Sequence, residues 1–125
     1  MIVSTKGRYA LRVMVFLAKR TDRDYVPVKE IAEQEEISQK YLESIMTILS
    51  KAGFLRAVQG KGGGYRLSRD PAEYTVGSIL KLTEGNLAPV SCTTHGPSAC
   101  SRTGCCDTLP MWEKLAKLID DYFES

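Results

Sequence analysis

The sequence predicts a mainly α-helical chain with one small β-hairpin, followed by a further C-terminal helix. Three observations carry this expectation. Apolar residues recur at helical spacing in five segments. Two of those segments are short and sit on either side of a tight turn before Ser38. Two short apolar runs flank Gln59-Gly60-Lys61-Gly62-Gly63-Gly64, where four glycines in six residues oppose both helix and strand.

The first helix is expected from about Ser4 to Arg20. Tyr9, Val13, Phe16 and Leu17 mark its apolar side, and Lys6, Arg8, Arg12 and Lys19 its polar side. Thr21-Asp22-Arg23-Asp24 is a polar break. Pro27 suits a helix start, where its missing N–H costs nothing. A short helix should therefore run over Val28–Glu35, with Val28, Ile31 and Ala32 inward. After a turn at Glu35-Glu36-Ile37, Ser38 is placed to cap the next helix by accepting from an otherwise free backbone N–H. That helix spans about Gln39–Lys51. Tyr41, Leu42, Ile45, Ile48, Leu49 and Ala52 form its apolar stripe, opposite Lys40, Glu43, Ser44 and Thr47. Gly53 fits the left-handed position past a helix end.

Phe54–Val58 and Tyr65-Arg66-Leu67 read as the two strands of a hairpin around the glycine turn. Asp70-Pro71 breaks the chain again. Thr75 caps a helix to about Thr83 carrying Val76, Ile79, Leu80 and Leu82, and Gly85 ends it. Residues 86–107 show no periodic apolar pattern, and a loop of that length in a compact domain usually has a function. The last helix, about Leu109 to Phe123, carries a large apolar face of Trp112, Leu115, Ala116, Ile119, Tyr122 and Phe123. The organisation is then residues 1–85 as a winged helix-turn-helix domain, 86–108 as a cysteine-rich loop and 109–125 as a dimerisation helix.

Composition bounds the function. With 43% hydrophobic and 26% charged residues, the 125-residue chain has the make-up of one soluble globular domain rather than a disordered one. No stretch approaches the ~18 apolar residues of a membrane span. The N-terminus has no apolar run leading to a cleavage site, so the expected location is the cytoplasm. Net charge is +2 but unevenly spread: residues 1–70 are basic and residues 71–125 mildly acidic. That asymmetry is expected where one part faces a polyanion. An enzyme is not expected. There is one histidine, with no nucleophile partnered to it beyond the cysteine-bearing segment that holds it, and no glycine-rich phosphate loop follows a strand.

Two short helices about a tight turn, followed by a glycine hairpin, make a DNA-reading unit. The second helix would enter the major groove with Ser38, Gln39, Lys40, Tyr41, Glu43 and Ser44 at its leading end. Glu43 would accept from a cytosine amino group, and Lys40 would meet a phosphate. In the wing, Gln59 would reach the minor groove and Lys61 would add attraction. Lys6 and Arg8 are further cations for the sugar-phosphate chain.

All four cysteines fall within Cys92–Cys106: Cys92, seven residues, Cys100, four residues, then Cys105-Cys106. Clustered thiolates in a non-secreted chain point to metal or redox chemistry. The spacing lacks two C-x-x-C knuckles and the common ferredoxin runs, so an iron–sulfur cluster, zinc and redox-responsive thiols all stay open. His95 lies inside the same segment and Asp107 beside it. Adjacent Cys105 and Cys106 rarely bind one metal together without strain. The apolar C-terminal helix suits a homodimer, because two reading heads one DNA turn apart (~34 Å) need a coupling device.

Ser4-Thr5-Lys6-Gly7-Arg8-Tyr9-Ala10-Leu11, Ile37-Ser38 with Tyr41-Leu42-Glu43, Gly60-Lys61-Gly62-Gly63-Gly64-Tyr65, and the cysteine loop before Trp112 together resemble the Rrf2 family of bacterial transcription regulators. The likeness covers nearly the whole chain and is nearest to the family's iron–sulfur cluster regulator branch. It implies a dimeric winged helix-turn-helix protein with a C-terminal dimer helix. It also implies a cluster on Cys92, Cys100 and Cys106, and a role for Glu43 in discriminating between classes of DNA site. Three positions depart from the family pattern. Leu109 stands where a ligand histidine follows the last cysteine. Arg8 stands where the nitric-oxide-sensing branch has an aspartate. Gln59 stands where the wing often carries arginine. The fourth ligand is thus open among Cys105, His95, Asp107 and an external molecule, and the cluster between 2Fe–2S and 4Fe–4S.

The expectation is a cytoplasmic, homodimeric regulator whose grip on a roughly palindromic double-stranded operator is set by an iron–sulfur cluster. One alternative is a cluster-free regulator of the same fold that senses thiol oxidation or a cysteine-metabolism partner protein. The other is a small iron–sulfur electron carrier or cluster-delivery protein.

Overall fold

Ser4 opens the first helix by accepting a hydrogen bond from the Gly7 N–H at 3.2 Å, and α1 then runs Thr5–Ala18. The computed structural model describes residues 3–20, 24–85, 87–89 and 107–125. After α1 come α2 (Val28–Glu35), α3 (Gln39–Lys51), β1 (Leu55–Val58), β2 (Gly64–Leu67), a short 3-10 turn (Pro71–Glu73), α4 (Val76–Glu84) and α5 (Leu109–Glu124). This is the mainly α chain with a β-hairpin that the sequence predicts.

Local chemistry fixes the helix ends. Glu36 takes the left-handed conformation, with φ 56° and ψ 45°, and so turns the chain sharply between α2 and α3. Thr75 accepts from the Ser78 N–H at 3.0 Å, while the Ser78 hydroxyl accepts from the Thr75 N–H at 3.2 Å. This reciprocal capping satisfies two donors that a helix start would otherwise leave bare. Asp70 and Glu73 do the same around the short turn.

The core gathers on α1, which packs against α2, α3, β2 and α4. Val13, Val26, Ile31, Leu42, Ile45, Met46, Leu49 and Leu80 are fully buried. Met46 lies outside the stripe read from the sequence. It is buried because four elements, α1, α2, β1 and α4, all pack against α3 and cover it over a wide arc. Tyr9, Phe16 and Val28 are only half-buried at the edge of this core.

The hairpin is antiparallel, with Leu55 opposite Leu67, Arg56 opposite Arg66, Ala57 opposite Tyr65 and Val58 opposite Gly64. Its strands differ from the expected ones by one residue each: β1 begins at Leu55 rather than Phe54, and β2 takes in Gly64. Val26 adds a third line of pairing, donating to the Tyr65 carbonyl and accepting from the Tyr65 N–H, both at 2.9 Å. Pro27 pushes the residue before it into the extended conformation that this pairing needs, while nothing local names the partner. Gly64 makes the close approach feasible. Its φ is +143°, and a Cβ there would collide with the Val26 carbonyl group.

Helix α5 returns to α4. The Lys81 ammonium meets Asp120 at 2.8 Å and Glu124 at 3.3 Å, and the Thr75 hydroxyl donates to Glu124 at 3.2 Å. The hydrogen bond that the Lys81 ammonium donates to Asp120 holds its pKa above the ordinary value of 10.5. These groups are substantially exposed, so water screens the pairs and each is worth under about 1 kcal/mol. The helix carries two apolar stripes. Trp112, Ala116, Ile119 and Phe123 are half-buried, with Phe123 beside Gly77 of α4. Met111, Leu115, Leu118 and Tyr122 are 54%, 37%, 58% and 76% exposed. Of the six expected interface residues, only Leu115 and Tyr122 stand on this open stripe, which Met111 and Leu118 complete. Among the described residues, no helix is long and apolar enough to cross a membrane.

Replacing Gly64 with Ala should lower the unfolding free energy by about 2–3 kcal/mol, since φ and contact both forbid the methyl. Gly62→Ala, where φ is +79° with open space around it, should cost about 1 kcal/mol. Urea denaturation distinguishes the two, and equal losses would contradict the close approach to Val26.

Candidate nucleic-acid interface

The leading end of α3 is built outward from its cap. The Ser38 hydroxyl accepts from the Tyr41 N–H at 3.2 Å, which starts the helix and aims its first turn into solvent. Gln39, Lys40, Glu43, Ser44 and Thr47 are all exposed, while Leu42, Ile45, Met46 and Leu49 anchor the other side in the core. The helix is therefore amphipathic in the sense a groove-reading helix needs: one face fixed, one face polar and open.

The exposed side chains are partly ordered by one another. The Gln39 amide donates to the Glu43 carboxylate at 3.3 Å, one helical turn on. The Ser44 and Thr47 hydroxyls donate to the Tyr41 and Glu43 carbonyls at 2.6 and 2.9 Å. Both hydroxyl oxygens keep lone pairs facing outward, so each can still accept from a ligand. Glu43 retains its second carboxylate oxygen for a donor such as a cytosine amino group.

Tyr41 does not stand in the open face. It is half-buried, and its ring meets Tyr9 of α1 with centroids 5.8 Å apart. This contact brings the first turns of α1 beside the first turn of α3. Arg12 reinforces the same corner: its guanidinium lies 5.2 Å from the Tyr9 ring centre, pairs with the Glu35 carboxylate at 3.3 Å and also donates to the Glu35 carbonyl. The sequence places Arg12 on the polar side of α1 and gives no sign that it ties α1 to the turn between α2 and α3. Pairing across twenty-three residues leaves no local spacing signal.

The cations divide. Arg8, next to Tyr9, is exposed and takes a bond from its guanidinium to the Thr5 hydroxyl at 3.3 Å, while Lys6 is half-buried. Lys40 and Lys61 make no ion pair among the described residues. Gln59 and Lys61 are exposed at the tip of the hairpin, on a backbone whose glycines leave no side chain between it and an approaching surface. The structure thus brings Tyr9 together with Tyr41 beside the open face of α3, leaves Arg8 exposed on α1, and carries Gln59 and Lys61 on a separate projecting turn.

The candidate metal ligands Cys92, His95, Cys100, Cys105 and Cys106 lie outside the described residues. Asp107 is described and exposed, two residues before α5 begins. Leu109, at the start of α5, offers no donor atom.

Comparison with known proteins gives a consistent picture. Residues 3–125 match the family described as "Rrf2: Iron-dependent Transcriptional regulator". The chain is 34% identical over 124 residues to the HTH-type transcriptional regulator IscR of Aliivibrio salmonicida, covering 99% of this chain and 73% of that protein. It is 34% identical over 117 residues to Protein rrf2 of Nitratidesulfovibrio vulgaris, covering 94% and 77%. Among solved structures it is similar to CymR, the global cysteine regulator of B. subtilis, with a TM-score of 0.80 and 30% identity over 100% of this chain and 91% of that one. It is also similar to T. potens IscR, with a TM-score of 0.74 and 34% identity over 99% and 80%.

Ser38→Ala should remove the bond to the Tyr41 N–H and lower stability by about 1 kcal/mol, with Ser38→Asp restoring most of it. Thermal unfolding of the two variants checks this. An Ala variant as stable as the parent would mean the serine does not hold the first turn.

Proposed function

This chain belongs to the Rrf2 family of transcriptional regulators and is a DNA-binding regulator, and from that premise we propose that an iron–sulfur cluster on Cys92, Cys100 and Cys106 sets its operator affinity. The observation that carries the proposal is the placement of four cysteines in the fifteen residues Cys92–Cys106, between the end of α4 and the start of α5. Thiolates are soft ligands that suit iron–sulfur clusters. Three of them leave one position for Cys105, His95, Asp107 or an external molecule, and Leu109 removes the histidine option beside α5. The resemblance to IscR proteins supports the same reading.

When bound, such a group supplies a redox-labile link among thiolates that would otherwise be independent. The chain does the rest. Segment 86–108 joins α4 to α5, so a group held by ligands within it would constrain the connection between the two helices, while Lys81 pairs the last turn of α4 with Asp120 and Glu124 in the C-terminal part of α5. The open stripe of Met111, Leu115, Leu118 and Tyr122 follows a 4-3-4 spacing, the seam of a helix that packs lengthwise against another. A second copy of the chain on that stripe makes the homodimer and sets the separation of two α3 helices on a roughly palindromic site. The α3 face reads bases through Gln39, Glu43 and Ser44, and Lys6, Arg8, Lys40, Gln59 and Lys61 meet the backbone and minor groove. A difference in DNA affinity between ligated and unligated states is the signal.

The similarity to CymR, including Staphylococcus aureus CymR in an oxidized form at a TM-score of 0.76, favours a second reading in which the thiols act without a cluster. Protein isolated without oxygen separates the two. The cluster reading predicts a brown protein with iron and sulfide in stoichiometric amounts, and loss of both in Cys92→Ala with the helical spectrum unchanged. Colourless, iron-free protein that still binds DNA selectively would install the thiol reading. Leu118→Asp should shift the dimer to monomer in sedimentation at micromolar concentration. An unchanged dimer would move the interface off α5.

A further inference from the structure

Helix α2 is charged against its own dipole at its C-terminal end. Glu33 and Glu35 close it, Glu36 follows, and its last turn holds no basic residue. A helix C-terminus carries partial negative charge and carbonyls without partners inside the helix, so carboxylates there are unfavourable and a cation is stabilising. The chain supplies that cation from another element. Arg12, midway along α1, donates to the Glu35 carbonyl and pairs with the Glu35 carboxylate at 3.3 Å.

The placement of this guanidinium reaches beyond α2. Glu36, the residue after its partner, is the one non-glycine residue among those described that holds a left-handed backbone. Such a conformation persists where its surroundings hold it. The same guanidinium lies 5.2 Å from the Tyr9 ring centre, and Tyr9 meets Tyr41 in the first turn of α3. One side chain therefore bears on the turn that sets the angle between α2 and α3 and, through Tyr9, on the start of α3 itself. A phosphate contact suits Arg12 poorly, although its side chain is 45% exposed. Its Nε and one terminal nitrogen are committed to Glu35, whose carboxylate offsets its charge.

We propose that Arg12 is a positioning residue for sequence discrimination. It makes no base contact of its own and holds α3 at the angle from which Gln39, Glu43 and Ser44 meet base edges. This rests on α3 being the base-reading helix. Base-edge hydrogen bonds demand placement to within about 0.5 Å, whereas attraction to phosphates carries no sequence information and tolerates a looser fit. An α3 released from Arg12 forfeits discrimination before it forfeits general affinity.

The experiment is fluorescence anisotropy of the full chain with two duplexes of equal length and composition over a range of salt. One is the duplex that the parent enriches from a random-sequence pool, and the other is its scrambled control. Arg12→Gln should bind the enriched duplex about tenfold or more weakly, bind the scrambled one as the parent does, and keep the parent's salt slope and helical spectrum. Arg12→Lys keeps the charge but has no flat face to lay on Tyr9, so it should stay at least about threefold below the parent on the enriched duplex. Parent-like discrimination in Arg12→Gln would overturn the proposal. So would an equal loss on both duplexes with a salt slope smaller by about one, which assigns Arg12 to a phosphate. Full restoration by lysine would overturn it too, since charge alone would then suffice. Glu43→Ala, measured alongside, separates the two levels. If it alters discrimination while Arg12→Gln does not, α3 reads bases without help from Arg12. If it leaves discrimination unchanged, the reading of α3 falls and this proposal with it.

Discussion

Gly7 in α1 carries no side chain, and the Glu84 carboxylate occupies the space a Cβ would fill. That carboxylate is fixed there by Ser4, whose N–H and hydroxyl donate to it at 3.0 and 2.5 Å. The start of α1 is thereby clamped to the end of α4. Two residues further along α1, Tyr9 lies against Tyr41 in the first turn of α3. A single helix, within five residues of its cap, thus touches both the point where the cysteine segment departs and the point where the reading helix begins. Both contacts lie on one helix, so α1 is the element that the two points share. The residue that makes this possible is the smallest one available.

The same economy of contact explains the division of labour on the surface. Burial of Leu42, Ile45, Met46 and Leu49 locks α3 against the core, which frees its opposite face to hold charged and polar groups without cost to folding. The wing depends on a different constraint. Its second strand is bound to Val26 through Tyr65, with Gly64 leaving room for the approach, and its tip is glycine backbone with Gln59 and Lys61 as the projecting groups. On α5, one apolar stripe is committed to the chain's own body and a second is left open. A helix with two such stripes is explained more readily by two neighbours than by one.

Much of this was legible in the sequence because it rests on local rules. Ser38 and Thr75 announce helix starts, Glu36 before Ile37 marks the turn, and the glycine run marks the hairpin tip. The spacing of Leu42, Ile45 and Leu49 gives the buried side of α3. What was not legible depends on contacts distant in the chain. Val26 with Tyr65, Arg12 with Glu35 and Ser4 with Glu84 converge only once the fold exists. The two faces of α5 could not be separated by periodicity either, because Trp112 and Met111 are adjacent and equally apolar. Tyr41 was read both as core and as a DNA contact, and its half-buried ring against Tyr9 shows why the pattern was ambiguous.

On the proposed function, ligation of the cysteines changes how tightly α3 and the wing hold DNA. Its most direct measurement is fluorescence anisotropy with one selected operator duplex, at one salt concentration, on the same oxygen-free preparation before and after chelation of its iron. The account predicts dissociation constants that differ by about tenfold or more, a free-energy difference of about 1.4 kcal/mol. Iron-loaded and iron-free protein with the same affinity and the same sequence preference would contradict it.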